Sequence, residues 1–177
     1  MELIIKILWL LLPAEVANMS PVIFQWIPIG SQPIDLGLEI NGKPLFGPHK
    51  TYRGFFVGIT SSIIIVYLQK IVYPFMEPYS LINYSKINLL LLGALLGAGA
   101  LTGDLVKSFF KRRFNIPSGE SWVPFDQIDW VIGSLPAASF VTRLDYEIII
   151  TSIVVLGLLH PIINLIGHYL KLKKNKF

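Results

Sequence analysis

The sequence predicts an all-α, polytopic membrane protein of five transmembrane helices with two long cytoplasmic loops. Of its 177 residues, 53% are hydrophobic and only 15% are charged, whereas soluble domains average about 25% charged residues. The mean hydropathy is correspondingly high, at +0.61. The apolar residues form five long segments separated by polar stretches, and about 20 apolar residues suffice to cross a bilayer. Residues 1–177 are therefore expected to form a single integral membrane domain.

Composition also excludes several classes of protein. The chain contains no cysteine, so it has no disulfide framework, thiolate zinc site or cysteine nucleophile. Apolar residues dominate and no short period recurs, which excludes collagen-like, coiled-coil and disordered chains.

The first apolar segment covers residues 3–29 and is interrupted by Pro13 and Pro21. It lacks the basic start and the small-residue cleavage site of a secretory signal peptide, and its apolar run is too long for one. Prolines are tolerated in membrane helices because neighbouring groups satisfy the carbonyls that they free. We therefore expect a transmembrane helix here.

Four further segments, 54–73, 87–110, 128–141 and 148–170, are expected to complete the bundle. Segment 87–110 carries glycines in two pairs, each spaced by four residues. These glycines are Gly93, Gly97, Gly99 and Gly103. Such residues let helix backbones approach closely in lipid. Packing within the chain is the favoured interpretation, and self-association through this face is the alternative.

The basic residues predict the orientation of the chain in the membrane. Eleven of the 15 Lys and Arg residues fall in or beside the loops 30–53 and 111–125 and the tail 171–177. The positive-inside rule makes these segments cytoplasmic and places the N-terminus outside. The lysine-rich tail is expected to lie against anionic lipid heads. The net charge of +4 is thus explained by topology, without a nucleic acid partner.

Asp104 is the first candidate for chemistry, because it lies inside an apolar segment. A carboxylate at membrane depth is costly unless it faces a cavity or a partner. Lys107 follows three residues later and lies on the same helical face. An ion pair that satisfies only these two residues is the alternative interpretation.

Asp126 and Asp129 form the sharpest pair, at the start of the fourth segment. Carboxylates three residues apart point to one side of a helix. Magnesium is usually held by one or two carboxylates together with substrate phosphates. Helix capping by Asp126 and a favourable dipole interaction at Asp129 are an equally good explanation from chemistry alone.

The two long loops carry candidates for anion binding. In the first loop, Lys50 and Arg53 flank Thr51, which could cap the following helix, although the spacing is not that of a P-loop. In the second loop, the basic run 111–113 precedes a glycine-bearing turn that could offer N–H groups to an anion. His49 is interpreted as an ordinary loop residue.

Together these motifs resemble the CDP-archaeol synthase family, which is related to bacterial phosphatidate cytidylyltransferases. The motifs that carry the resemblance occur in this order: Pro13-Ala14…Asn18, Pro33-Ile34-Asp35-Leu36-Gly37, Gly47…Lys50-Thr51-Tyr52-Arg53-Gly54, Gly103-Asp104-Leu105-Val106-Lys107-Ser108-Phe109…Lys111-Arg112-Arg113 and Pro124…Asp126-Gln127…Asp129. The resemblance covers nearly the whole chain. Two departures stand out: Pro48 and His49 replace a frequent acidic residue and glycine, and Glu15 replaces a frequent aromatic residue.

The resemblance implies transfer of CMP from CTP to 2,3-bis-O-(geranylgeranyl)-sn-glycerol 1-phosphate. The products would be unsaturated CDP-archaeol and pyrophosphate, with Mg²⁺ as cofactor and membrane lipids as surroundings. It implies Asp126 and Asp129 as magnesium ligands, with Asp104 as a third ligand or an orienting group. The remaining candidates are Lys107 and Lys111 as catalytic groups and, for substrate binding, Asn18, Lys50, Arg53, Arg112, Arg113, Ser118 and Gly119.

Two alternatives remain open from the sequence. A small membrane carrier or scaffold could use Asp104 and Glu15 for proton or ion coupling. Within the enzyme interpretation, an ester-linked diacyl phosphatidate is the alternative substrate, since an apolar helix surface does not encode ether or ester linkage.

Overall fold

The computed structural model describes residues 1–169, so the predicted basic tail 171–177 lies outside the described residues. The described part forms five α-helices and one two-stranded antiparallel ribbon. In chain order they are α1 (Glu2–Ile23), β1 (Glu39–Ile40), β2 (Lys43–Pro44), α2 (Tyr52–Met76), α3 (Leu89–Arg113), α4 (Phe125–Ser139) and α5 (Tyr146–Tyr169), with a 3-10 turn at Glu77–Tyr79 after α2.

The lengths of the helices confirm a membrane protein. Among the described residues, α1, α2 with its 3-10 turn, and α3 are long and apolar enough to cross a bilayer. Helix α4 has 15 residues. It is therefore about 22 Å long at 1.5 Å per residue, shorter than a hydrocarbon core of roughly 30 Å. The expectation of five complete spans stays a prediction.

Helix α1 continues through Pro13 and Pro21, as expected, but it ends at Ile23 rather than at residue 29. The residues that follow leave the helix because the chain turns back and forms hydrogen bonds with the start of α2. The carbonyl of Gly30 accepts a hydrogen bond from Arg53 N at 2.7 Å, and Gln32 O accepts one from Tyr52 N at 3.2 Å. The first loop is consequently longer than predicted and begins at residue 24.

Capping residues set where α2 and α3 begin. Thr51 Oγ1 accepts a hydrogen bond from Gly54 N at 3.1 Å, so the predicted cap of α2 is confirmed. Asn88 Oδ1 accepts one from Leu91 N at 3.0 Å and caps α3. Helix α3 ends at Arg113, three residues beyond the predicted boundary. Its basic last turn is favourable at the negative end of the helix dipole.

Helix α3 lies at the centre of the bundle, against α1, α2 and α4, while α5 packs on α4 and α1. The glycines of α3 allow close backbone contact with two different helices. Gly93 and Gly97 face α2, where a Cβ on Gly93 would lie 2.6 Å from the Cα of Ile63. Gly99 and Gly103 face α4, where a Cβ on Gly103 would lie 2.1 Å from the carbonyl oxygen of Asp129. Packing within one chain therefore accounts for both glycine pairs.

Apolar side chains occupy both the core and much of the outer surface. Ile7, Leu96 and Trp130 are buried between the helices. On the outside of α2, Phe56 is 74% exposed and Phe75 is 82% exposed. A large exposed apolar surface is unfavourable in water and suits contact with lipid. The exposed apolar surface thus agrees with the high hydrophobic content of the sequence.

The first loop contains a β-hairpin that the sequence analysis did not predict. Strands β1 and β2 pair in antiparallel register and are joined by Asn41 and Gly42. Both residues have positive φ, at 53° and 70° respectively. This is the requirement of a type I′ turn, for which Asn-Gly is the preferred sequence.

Candidate active site

Three carboxylates from two helices surround the ammonium group of Lys107. Lys107 Nζ lies 3.0 Å from Asp104 Oδ1, 3.0 Å from Asp126 Oδ1 and 2.7 Å from Asp129 Oδ2. Lys107 and Asp104 come from α3, and the other two come from the first turns of α4. The predicted pairing of Asp104 with Lys107 is present, but it is one part of a larger cluster.

The cluster continues at both ends with further lysines. Lys50, from the first loop, makes an ion pair with Asp104. Lys111 Nζ lies 3.2 Å from Asp126 Oδ2, and it also donates a hydrogen bond to the carbonyl of Glu120 in the second loop. The result is a row of alternating charges that connects both long loops with α3 and α4. We refer to Lys50, Asp104, Lys107, Lys111, Asp126 and Asp129 as the charge row.

Asp126 does not have the capping role considered from the sequence. Pro124 occupies the N-cap position of α4 and provides no side-chain hydrogen bond. Asp126 Oδ2 instead accepts a hydrogen bond from Trp122 N at 2.6 Å, outside the helix. Asp129 is buried, and its Oδ2 pairs with the Lys107 ammonium at 2.7 Å. The capping interpretation of Asp126 is therefore wrong.

The donor set suits a divalent cation. Carboxylate oxygens are the ligands that magnesium prefers, and Asp129 Oδ2 is a buried carboxylate oxygen that faces the Lys107 ammonium. The Lys107 ammonium already brings one oxygen of each carboxylate toward a single positive charge. Within the described residues the acidic groups are not arranged as a ready three-ligand site. A divalent ion at these oxygens thus requires Lys107 Nζ to withdraw from at least one of them.

Two polar cavities adjoin the charge row. The first, of about 290 Å³, lies between the two loops and α3. The second, of about 440 Å³, lies between α1, the start of α2 and the first loop. His49 and Lys50 line both cavities and separate them. From the sequence alone His49 is interpreted as an ordinary loop residue, because the two cavities exist only once both loops are folded.

An apolar groove of about 850 Å³ runs along the outside of α3 and α4. Small residues such as Ala98 and Gly99 form its floor, and Phe110, Phe125 and other aromatic residues line one end. Lys107 and Asp129 are the charged residues that line the groove. The charge row therefore lies between an apolar surface at membrane depth and two polar cavities.

Asp35 organises the loop that carries His49 and Lys50. Its Oδ2 accepts hydrogen bonds from Phe46 N at 2.9 Å and Gly47 N at 3.2 Å, and its Oδ1 accepts one from Gly37 N at 3.1 Å. Burial favours the neutral acid, but these N–H donors outweigh burial and hold the pKa of Asp35 below its ordinary value. The ionised carboxylate thus holds Gly37 and the segment Phe46–Gly47 close together in the folded loop.

The structure brings nearly all of the predicted site residues together. Besides the charge row, the first cavity is lined by Arg112, Ser118 and Gly119, and the second by Asn18 and Arg53. Arg113 is the exception. It is not among the described residues that line either cavity, and its guanidinium is hydrogen-bonded to carbonyl groups of the hairpin.

A helical, lipid-facing bundle with a row of carboxylates and ammonium groups between two polar cavities and an apolar groove defines an intramembrane enzyme for charged substrates. The family model of the CarS-like CDP-archaeol synthases matches residues 1–177. The chain therefore belongs to the CDP-archaeol synthase family, and it is a CTP-dependent cytidylyltransferase of archaeal lipid biosynthesis.

Individual relatives agree with this membership over nearly the full chain. CDP-archaeol synthase of Pyrococcus furiosus is 37% identical over 174 residues, which is 98% of each chain. That of Methanococcus maripaludis is 39% identical, over 97% of this chain and 96% of the relative. A solved structure of an intramembrane enzyme for archaeal membrane lipid biosynthesis matches with a TM-score of 0.72 and 27% identity. It covers 89% of this chain and 92% of its own. Family membership decides for the enzyme and against the carrier or scaffold.

Proposed function

We propose that this enzyme transfers CMP from CTP to 2,3-bis-O-(geranylgeranyl)-sn-glycerol 1-phosphate, and that the transfer takes place at the charge row with the help of Mg²⁺. The observation that carries the proposal is the convergence of Asp104, Asp126 and Asp129 on Lys107, which lines both the first polar cavity and the apolar groove. A lipid phosphate and a water-soluble nucleotide can meet there without the lipid leaving the bilayer.

The reaction needs no protein nucleophile. A phosphate monoester is largely ionised at neutral pH, so an oxygen of the lipid phosphate can attack the α-phosphorus of CTP directly. The new P–O bond forms as the bond between the α-phosphorus and the bridging oxygen breaks, and pyrophosphate leaves with that electron pair. Catalysis then depends on positioning and on neutralising the charge of two anionic substrates.

The basic side chains around the cavities supply that neutralisation. Lys50 lines both cavities, Lys107 lines the first cavity and the groove, and Arg112 faces the first cavity from the end of α3. Arg53 and Asn18 also line the second cavity and carry N–H donors. The glycine-bearing turn of the second loop is the proposed contact for the nucleotide. Its residues in the first cavity are Ser118 and Gly119.

We propose Asp126 and Asp129 as the ligands of Mg²⁺, with Asp104 as a third ligand or an orienting group. When bound, the ion would neutralise charge on the phosphate oxygens and on the departing pyrophosphate. Lys107 balances the three carboxylates, and with the ion bound its ammonium would be available to substrate oxygens. The alternating charges of the row keep these groups fixed and hydrogen-bonded in the meantime.

The groove between α3 and α4 is the proposed site of the prenyl chains. Its lining is overwhelmingly apolar, and Lys107 and Asp129 are the charged residues that line it, so a lipid phosphate held there would lie next to the charge row. The orientation is proposed from the same arrangement and from the charge bias of the sequence. Lys43 Nζ donates to the carbonyl of Arg113 at 3.1 Å, so the two loops meet at one end of the bundle. CTP is cytosolic, and we place that end in the cytoplasm.

The test is pyrophosphate release by the purified enzyme in detergent or nanodiscs. Release is expected only when CTP, Mg²⁺ and the prenylated ether lipid phosphate are all present. Diacyl phosphatidate offered at the same concentration in parallel decides between ether and ester substrates. Release without lipid, or equal rates with EDTA and with Mg²⁺, would contradict the proposal. Equal rates with both lipids would contradict only the proposed preference for ether over ester lipids.

A further inference from the structure

Arg113 attaches the hairpin of the first loop to the end of α3. Its Nη1 donates a hydrogen bond to Ile40 O at 2.9 Å, and its Nη2 donates to Lys43 O at 3.0 Å and to Pro44 O at 2.6 Å. Lys43 Nζ in turn donates to the carbonyl of Arg113 at 3.1 Å. The guanidinium also lies over the ring of Phe109, 5.1 Å from its centroid. One side chain thus engages both strands of the hairpin.

The hairpin leads directly to the residues of the first loop that face the cavities. Leu45 N donates to Leu38 O at 2.8 Å, which closes the base of the hairpin. The next residues are held by Asp35, and the chain then reaches Lys50, whose ammonium pairs with Asp104. The first loop is therefore fastened to α3 at two points, Arg113 and Asp104, on one helix. The first attachment restricts where the second can form.

The chemistry of these contacts is specific to arginine. Three backbone carbonyls surround the planar guanidinium, and a lysine ammonium cannot reproduce that forked set of donors. The same contacts oppose a direct role in substrate binding. Arg113 cannot grip a phosphate with Nη1 and Nη2 unless it first releases the hairpin.

We infer that Arg113 is a positioning residue, which holds the hairpin on α3 so that Lys50 reaches the reacting phosphates from the wall between the two cavities. This inference rests on the proposed function for its catalytic consequence, but the attachment itself can be tested separately. It assigns Arg113 to the scaffold of the site, whereas the neighbouring Arg112 faces the first cavity.

The kinetic test compares Arg113→Ala and Arg113→Lys. Both are expected to lower kcat by about 10-fold, because small displacements of a positioned group are costly, while the KM for CTP changes by less than about twofold. In a Lys50→Met background, Arg113→Ala should cost less than about twofold, because the group that it positions is already gone. Full activity of Arg113→Lys, or the same loss in both backgrounds, would overturn the inference.

A structural test does not depend on turnover. The chain has no cysteine, so Leu45→Cys provides a unique and half-buried thiol at the base of the hairpin. Arg113→Ala is expected to raise the rate of maleimide labelling at this thiol about 10-fold, since opening of the loop becomes easier. Asp145→Cys, an exposed site before α5, should label at the same rate with and without Arg113.

Unchanged labelling of Leu45→Cys in the Arg113→Ala chain would refute the attachment, whatever the kinetics show. If labelling rises but the enzyme releases no pyrophosphate from CTP under any condition, the proposed function fails and the attachment stands. The two failures are therefore distinguishable.

Discussion

Lys107 Nζ on α3 lies 2.7 Å from Asp129 Oδ2 on α4, and this ion pair, with Asp129 buried, lies where the backbones of the two helices come into contact. The crossing is close because Gly103 and Gly133 face each other. A Cβ on Gly133 would lie 2.9 Å from the Cα of Gly103. The same two helices form the apolar groove, so helix packing, the charge row and the lipid-facing surface meet at one place.

Asp129→Asn is expected to leave the protein folded and to lower kcat by roughly 100-fold or more, because the variant loses a buried anionic oxygen at the proposed ion site. Pyrophosphate release and thermal unfolding, each measured over a range of Mg²⁺ concentrations, check this. Asp145→Asn, at an exposed position, is the matched control and should be unchanged. Near-normal turnover of Asp129→Asn would remove this residue from the proposed metal site.

Gly103→Ala and Gly93→Ala form a second matched pair. Each new Cβ would meet backbone, at 2.1 Å from Asp129 O or 2.6 Å from the Cα of Ile63, so each should destabilise the protein by about 1–3 kcal/mol. Only Gly103→Ala displaces α4, and it should lower kcat by at least an additional 10-fold. Unfolding in denaturant and turnover at saturating substrate measure the two effects. Equal activity of the two variants would argue that the crossing at Gly103 does not position the charge row.

Ala98→Phe is expected to fill the groove between α3 and α4. It should raise the KM for a lipid with full-length prenyl chains by about 10-fold, the effect of losing roughly 1.4 kcal/mol of binding. The KM for CTP, and turnover of a short-chain analogue, should stay unchanged. Ile64→Phe, on the exposed side of α2, provides the control. A similar loss for short and long chains would place the prenyl chains elsewhere.

Asp35→Asn tests the organisation of the first loop. The amide nitrogen would oppose the N–H groups of Phe46 and Gly47, which costs about 1–3 kcal/mol when buried donors lose their acceptor. Because the folded pKa of Asp35 is lowered, its contribution is complete above the unfolded value near pH 3.9 and is lost as the pH falls through the folded value. Thermal unfolding from pH 7 to pH 3 should show the wild-type advantage shrinking only at the acidic end. An advantage that is constant with pH would contradict the assignment.

Much of the site could be predicted residue by residue. A carboxylate within an apolar helix is rare, and Asp104 was recognisable for that reason. Asp126 and Asp129 were recognisable from their spacing, and Thr51 from the capping preference of the helix that follows. These signals are local, because they depend on residue type and on helical periodicity. The hairpin also has a local signal, since Asn41-Gly42 is a preferred turn sequence.

Other features had no local signal. Arg113 belongs to the same basic run as Arg112, yet the structure places only Arg112 in a cavity and attaches Arg113 to the hairpin. Asp126 looked like a cap, but its carboxylate accepts a hydrogen bond from Trp122 N before the helix begins. His49 lies on the wall between two cavities that exist only once both loops are folded.

The amino-acid sequence by itself determined that this chain is a membrane protein, which side chains carry charge, and to which family it belongs. Hydropathy, charge and motif order are properties of the chain before it folds. Only the tertiary structure decided which of those charges meet. The distance between α3 and α4, and the rotation that turns Lys107 toward three carboxylates, arise from glycine contacts between residues about 30 positions apart in the chain. Side chains of equal charge therefore have different contacts. Arg112 faces a cavity, whereas Arg113 binds backbone carbonyls of the hairpin.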